Sequence, residues 1–231
     1  MKTLGILGGL GPESTIDYYH KIIAIFRERV GGDRYPKFLI NSMDLNDVRG
    51  PVTANDLAQL SANLIAAIEP LARAGADFGL IAANTPHIVF DVVAAKSPIP
   101  LISIVEATCA FAKERQLKQL AIFGTRFTMT GDFFSKVFAR EKIELVRPDP
   151  TDQEYIHDKY MNELIPGIFL PETRAGLLAI VDRIRARTPI EAVILAGTEL
   201  PLLLREPAHN GVPFLNTTII HCQAAVSEML K

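Results

Sequence analysis

The sequence predicts an α/β protein of two similar halves, each a parallel sheet covered by helices. Two observations carry this. Short apolar runs rich in Ile, Val, Leu and Phe alternate with longer stretches of helical period, the pattern of buried parallel strands joined by crossover helices. Two of the runs also end alike: Phe78–Ala83 stops at Asn84-Thr85-Pro86-His87, and Ala192–Gly197 stops at Thr198-Glu199-Leu200-Pro201. A small residue followed by Thr-bearing polar groups thus recurs about one α/β domain further on, which predicts a duplicated architecture with a site between the halves.

Taken in order, Thr3–Leu7 is the first strand and Pro12–Val30 the first helix; Pro12 suits a first turn because its missing N–H would have no partner there. Phe38–Asn41 precedes a helix over Asn55–Ala74. Phe78–Ala82 leads into His87–Ala95, with Asn84 placed to cap it. Leu101–Ile104 is followed by Val105–Arg115, Gln119–Phe123 by Gly131–Arg140, and Ile143–Val146 by Asp152–Ile165 and Pro171–Arg187. Ala192–Ala196 is the next strand. Val212–Leu215 then runs into Thr217–Leu230, where Thr217 is the candidate cap. Ser97-Pro98-Ile99-Pro100 carries two prolines in three residues, which forbids helix and favours an extended linker, so the break between halves is expected there.

Composition narrows the function. With 231 residues, 48% hydrophobic and 22% charged, the chain can bury full cores without staples. A net charge of −2, no Trp and few aromatics give no support to nucleic-acid binding and leave small molecules as the expected partners. The N-terminus opens straight into a strand with no signal-like segment, and no apolar run reaches the ~18 residues of a membrane span. Two cysteines, Cys109 and Cys222, are too few for a disulfide framework; a cytoplasmic protein is expected. His20, His87, His157, His209 and His221 show no metal-ligand spacing, and His87 reads as structural. His221 and Cys222 are adjacent on a helix and so point about 100° apart, away from any common atom.

Three strand ends carry the candidate chemistry. Asn84 and Thr85, Gly124-Thr125-Arg126-Phe127-Thr128, and Thr198-Glu199 each place amides or hydroxyls where a parallel sheet presents its carboxyl edge, an arrangement suited to a carboxylate. Arg49, after the second strand, is a single cation able to fork onto a carboxylate. The loop Gly8-Gly9-Leu10-Gly11-Pro12-Glu13-Ser14-Thr15 between the first strand and helix can bring backbone N–H groups to an anion. It lacks both the G-x-G-x-x-G spacing of a dinucleotide site and the Lys-Ser/Thr of a P-loop, so no nucleotide cofactor is expected.

At these residues the chain resembles the aspartate/glutamate racemase family, whose members read Cys-Asn-Thr and Gly-Cys-Thr-Glu at the two matching ends. The loop likewise follows the family's Gly-Gly-Met-(Gly/Ser)-Pro-Glu-Ala-Thr, with Leu10 in place of Met. The resemblance implies two three-layer α/β/α domains with a ligand cleft between them, residues 1–98 with about 206–231 forming the first and 99–205 the second. It also implies a cofactor-independent homodimer acting on a small amino or carboxylic acid. In the family, one cysteine thiolate removes the α-proton and the other thiol returns it from the opposite face; the matching positions here are Ala83 and Gly197, which can do neither. Substrate binding is implied for Leu10, Arg49, Asn84, Thr85, Thr125, Thr128, Thr198 and Glu199. Pro166 stands where the family has a lysine for the distal carboxylate, and Asn216 where it has an aspartate. The resemblance therefore implies an isomerase-superfamily enzyme working without the two-thiol mechanism; the alternatives are a catalytically inactive carboxylate-binding protein and a decarboxylase or lyase on the same fold.

Overall fold

The computed structural model describes all residues from Met1 to Lys231. Its elements are, in order, β1 (Leu4–Gly8), α1 (Pro12–Val30), β2 (Phe38–Ser42), α2 (Asn46–Thr53), α3 (Leu57–Arg73), β3 (Phe78–Ile81), a 3-10 turn (Thr85–Val89), α4 (Phe90–Lys96), β4 (Leu101–Ile102) and α5 (Ile104–Glu114). There follow β5 (Gln119–Gly124), α6 (Arg126–Thr130), α7 (Phe133–Arg140), β6 (Glu144–Val146), α8 (Pro150–Lys159) and a π-helical turn (Tyr160–Leu164). The chain closes with α9 (Pro171–Arg187), β7 (Ala192–Ala196), α10 (Leu200–Leu203), β8 (Ala208–His209), β9 (Val212–Asn216) and α11 (Thr217–Met229). No helix is long and apolar enough to cross a membrane.

The chain divides into two compact units, Met1–Ala107 with Thr218–Lys231, and Thr108–Thr217. The first has a parallel sheet in the order β2-β1-β3-β4, held by registers such as Leu4↔Phe38 and Leu4↔Phe78. The second has β6-β5-β7-β9 parallel, with β8 added antiparallel to β9. When only the parallel strands of each unit are numbered, both sheets run 2-1-3-4. That repetition matches the predicted duplication, and it places β1 beside β3 and β5 beside β7, where the strand order reverses.

Sequence periodicity explains the packing. On α1 the buried residues Ser14, Tyr18, Ile22 and Phe26 fall at every fourth position, a single stripe facing the sheet. Tyr18, Ile22 and Phe26 pack against Leu4, Ile6, Phe78 and Leu80 and against Cys222, Ala225, Val226 and Met229 of α11. In the second unit Ile156 of α8 and Leu177, Ile180, Val181 and Ile184 of α9 cover Ala121, Phe123, Val193 and Leu195 of β5 and β7. Strands β1, β3 and β7 are buried along their whole length, which is why they read as continuous apolar runs.

Several sequence expectations are corrected. The prolines near residue 100 do not mark the crossing. Gly79 N–H donates to the Pro100 carbonyl at 2.8 Å and Leu101 and Ile102 pair with Gly79 and Leu80, so this segment leads into an edge strand, where a missing N–H is tolerated. At the other end β9 stays with β7, through Ile194↔Leu215, and only α11 returns to the first unit. Against the expected boundaries of 1–98 with about 206–231 and 99–205, the compact units are Met1–Ala107 with Thr218–Lys231 and Thr108–Thr217. The helix expected over Asn55–Ala74 begins at Leu57, behind the Asp56 side chain, which accepts from Gln59 N–H; a separate α2 precedes it, unforeseen because Gly50 and Pro51 interrupt its pattern.

Two buried histidines of the first unit make its stability pH-dependent. His221 accepts from Tyr18 Oη at Nδ1 (2.8 Å) and donates from Nε2 to the Ile102 carbonyl (2.9 Å). Burial pushes His221 down to about 4; burial, then the neighbouring His221, pushes His87 down to about 3. Unfolded imidazoles take up protons from about pH 6.5 downward. Between roughly pH 6.5 and 4 the unfolded chain therefore binds more protons, and stability falls as pH falls, by about 1 kcal/mol per pH unit for each imidazole. Asp17 of the same unit, raised by burial, opposes this. Melting temperature should drop between pH 7 and pH 5, and His221→Gln should flatten the slope; an unchanged slope in that variant would contradict the assignment.

Candidate functional site

In the first unit the site region is built at the carboxyl ends of β1 and β3. Gly9 has φ of 78°, and a Cβ there would lie 2.7 Å from Ser42 Oγ and 2.8 Å from Met43 N, so only glycine fits. The loop is held by its own bonds. Gly9 N–H donates to Thr15 Oγ1 (2.9 Å) and Thr15 N–H to the Gly11 carbonyl (3.1 Å), which commits the Gly9 amide internally and away from an anion. Buried Ser14 Oγ donates to the Ala82 carbonyl (3.1 Å), fastening α1 to the end of β3. Leu10, Ala83 and Asn84 are buried beside this junction in sequence, and Thr85 is half-buried.

Asn84 differs from expectation. Its backbone is helical (φ −83°, ψ −50°) and its side chain makes no capping bond, because the turn that follows is 3-10 and already includes the His87 N–H to Asn84 carbonyl bond at 3.0 Å. His87 is fixed as expected of a structural residue: its ring stacks on Phe90 with centroids 4.9 Å apart, and Nε2 accepts from Ile104 N–H at 3.2 Å. Arg49 lies on α2, exposed and without an ion pair.

The second unit repeats the arrangement at β5 and β7. Thr125 caps α6, its hydroxyl accepting from Thr128 N–H at 3.3 Å and lying 3.2 Å from Thr128 Oγ1. A Cβ on Gly124 would come within 3.0 Å of Thr128, so the glycine lets this turn close. Beyond β7, Thr198 and Glu199 are both buried, and Thr198 Oγ1 donates to Glu199 Oε2 at 3.0 Å. Tyr160 Oη donates to the same carboxylate oxygen. Burial first, then the Glu199 charge, raises the Tyr160 phenol well above its ordinary range, so it stays a donor. Sequence reasoning missed Tyr160, since an aromatic on an apolar helical stripe carries no motif. Its signal was indirect: glycine at 197, where a partner needs space.

The remaining positions are peripheral. Pro166 is exposed just beyond the π turn, and Asn216 is half-buried at the end of β9, level with Leu195. Thr217 Oγ1 donates to the Leu195 carbonyl at 2.8 Å, at the same edge of the second sheet. Neither cysteine lies at a strand end: Cys109 is on α5 and Cys222 on α11, both buried. Burial pushes the Cys222 thiol far up, away from thiolate chemistry.

Two duplicated sheets with glycine-gated, threonine-bearing ends narrow the possibilities sharply, and comparison with known proteins agrees. The family profile described as Asp/Glu/Hydantoin racemase matches residues 7–225. The chain belongs to this family. It is 25% identical over 98% of both chains to the broad specificity amino-acid racemase RacX of Bacillus subtilis (strain 168). An aspartate racemase homologue from Pyrococcus horikoshii OT3 has the same fold, with a TM-score of 0.85, 32% identity and full coverage of both chains. So does a candidate Asp/Glu racemase from Yersinia pestis, with a TM-score of 0.89, 30% identity and full coverage of both.

The burial of both thiols yields a direct expectation. In the native protein neither cysteine should react with a thiol reagent such as dithionitrobenzoate on the minutes timescale, and both should react after unfolding. Fast native labelling would show a thiol available to chemistry and would contradict their placement in the cores.

Proposed function

We infer that this family member binds a small amino or carboxylic acid in a cleft between its two α/β halves and acts on it as an isomerase-superfamily enzyme without a pair of thiols. The observation that carries the reading is the repetition itself. Asn84 is buried at the end of β3, and Thr125, Thr128 and Thr198 at the ends of β5 and β7, where open α/β sheets bind ligands, and neither β3 nor β7 ends in an ionisable side chain. Asn84, Thr85, Thr125, Thr128 and Thr198 would hold the carboxylate and amino group, with Glu199 behind them and Leu10 walling the ligand. The substrate class follows RacX, whose name specifies amino acids broadly.

Racemisation needs a base and an acid on opposite faces of a weakly acidic carbon. Ala83 and Gly197 offer neither, so the chemistry differs from two-thiol proton exchange; decarboxylation and elimination fit a site with one proton donor. The same two residues favour a second reading, a catalytically silent binder that keeps the carboxylate cradle.

In deuterated water the protein should leave the α-proton of aspartate and glutamate unexchanged above background; exchange well above background would contradict the reading. A thermal-shift screen of amino and hydroxy acids should give hits, since a ligand of the native state raises the melting temperature. No hit on folded protein would count against any such ligand. For each hit, a product seen by NMR identifies the enzyme, and an unchanged ligand identifies the binder.

Arg49 is the family-matched cation remaining for a distal carboxylate, and its exposure makes that contact weak. Aspartate should therefore bind within about a hundredfold of alanine. If aspartate binds more tightly than that and Arg49→Ala leaves the ratio unchanged, a different cation reads the distal group.

A further inference from the structure

The end of β7 lacks a side chain at Gly197, yet the space beside it is filled. A Cβ built on Gly197 would stand 2.9 Å from Cζ and 3.0 Å from Oη of Tyr160, with Cε2 nearer still, separations that real Cβ atoms essentially never show. The ring cannot easily give way. It is buried in the cluster of Phe123, Met129, Ile156, Leu195 and Leu200, and its hydroxyl is bonded to Glu199. Tyr160 also opens the π turn, in which Ile165 N–H reaches back five residues to the Tyr160 carbonyl at 3.0 Å. Such turns insert an extra residue into a helix and re-aim the side chains around it.

We propose that Tyr160 is the residue that fixes the chemistry of this strand end: its ring excludes any side chain at 197, and its hydroxyl positions the Glu199 carboxylate beside the place so vacated. Residues 160 and 197 then form a matched pair, and a large residue at one demands a glycine at the other. The phenol stands where a side chain on residue 197 would begin, and the Glu199 carboxylate accepts its hydrogen bond. The ligand meets fixed polar groups there in place of a mobile nucleophile. This inference rests on the functional reading above for its ligand but not for its geometry.

The test is a double-mutant cycle on the full chain, with Gly197→Cys, Tyr160→Leu and their combination, alongside Tyr160→Phe with and without Gly197→Cys. Gly197→Cys alone should lower the melting temperature by roughly 5 °C or more through overpacking. Tyr160→Leu should remove most of that penalty, whereas Tyr160→Phe, which keeps the ring, should not. Equal penalties in all three backgrounds would overturn the proposal. Should Gly197→Cys fail to fold, Gly197→Ala carries the same clash at Cβ and replaces it. A second readout separates positioning from mere packing: with Ala83→Cys also present, α-deuterium incorporation into aspartate should be at least about tenfold faster in the Tyr160→Leu, Gly197→Cys background than with Tyr160 intact. Faster exchange with Tyr160 intact would overturn the proposal. If the cycle shows the coupling and wild type binds no amino or hydroxy acid, the functional reading fails and the Tyr160–Gly197 pairing stands.

Discussion

Everything in this protein depends on parallel strands buried on both faces. A strand such as Leu4–Gly8 or Ala192–Ala196 has no solvent side, so every position along it is apolar or glycine, and polar chemistry can enter only where the strand stops. The helix that follows each strand begins with unpaired N–H groups, which draws hydroxyls and amides to the same edge. Thr125 accepts from the Thr128 N–H in this way, while Ser14 and Thr217 instead donate to the strand carbonyls of Ala82 and Leu195. The candidate site is thus a by-product of how the sheets are covered.

The second constraint is close approach. Gly9, Gly124 and Gly197 sit where a Cβ would strike neighbouring atoms, and each lies at the end of a central strand. Glycine at these points lets the chain turn within the edge, at Gly9 against Met43 and at Gly124 against Thr128. At Gly197 the neighbour is a side chain from a different helix, so the glycine answers to Tyr160 and not to the turn alone. That difference sets the β7 end apart from the other two.

Legibility in the sequence followed the same division. Strands and long helices could be read because burial on both faces forces continuous apolar runs, and α1 over Pro12–Val30 and α9 over Pro171–Arg187 have the predicted limits. The polar strand ends could be read because Thr and Asn there have local partners. Pairing could not: Leu101–Ile102 and Val212–Asn216 are short segments whose sheet is decided by neighbours far along the chain. Tyr160 was invisible because its partners, Gly197 and Glu199, lie almost forty residues away, |i−j| being 39 for the latter. The family assignment rests on a match over residues 7–225, and the sequence carries no thiol at positions 83 and 197.

The central claim is that the polar ends of β3, β5 and β7 hold a small amino or carboxylic acid. Backbone amide NMR of the full chain, titrated with an amino acid, tests it most directly. The account predicts saturable shifts concentrated at residues 83–87, 124–128 and 197–200, in both units with one affinity. Shifts confined to one unit, or spread over exposed helices with the strand ends unmoved, would contradict it.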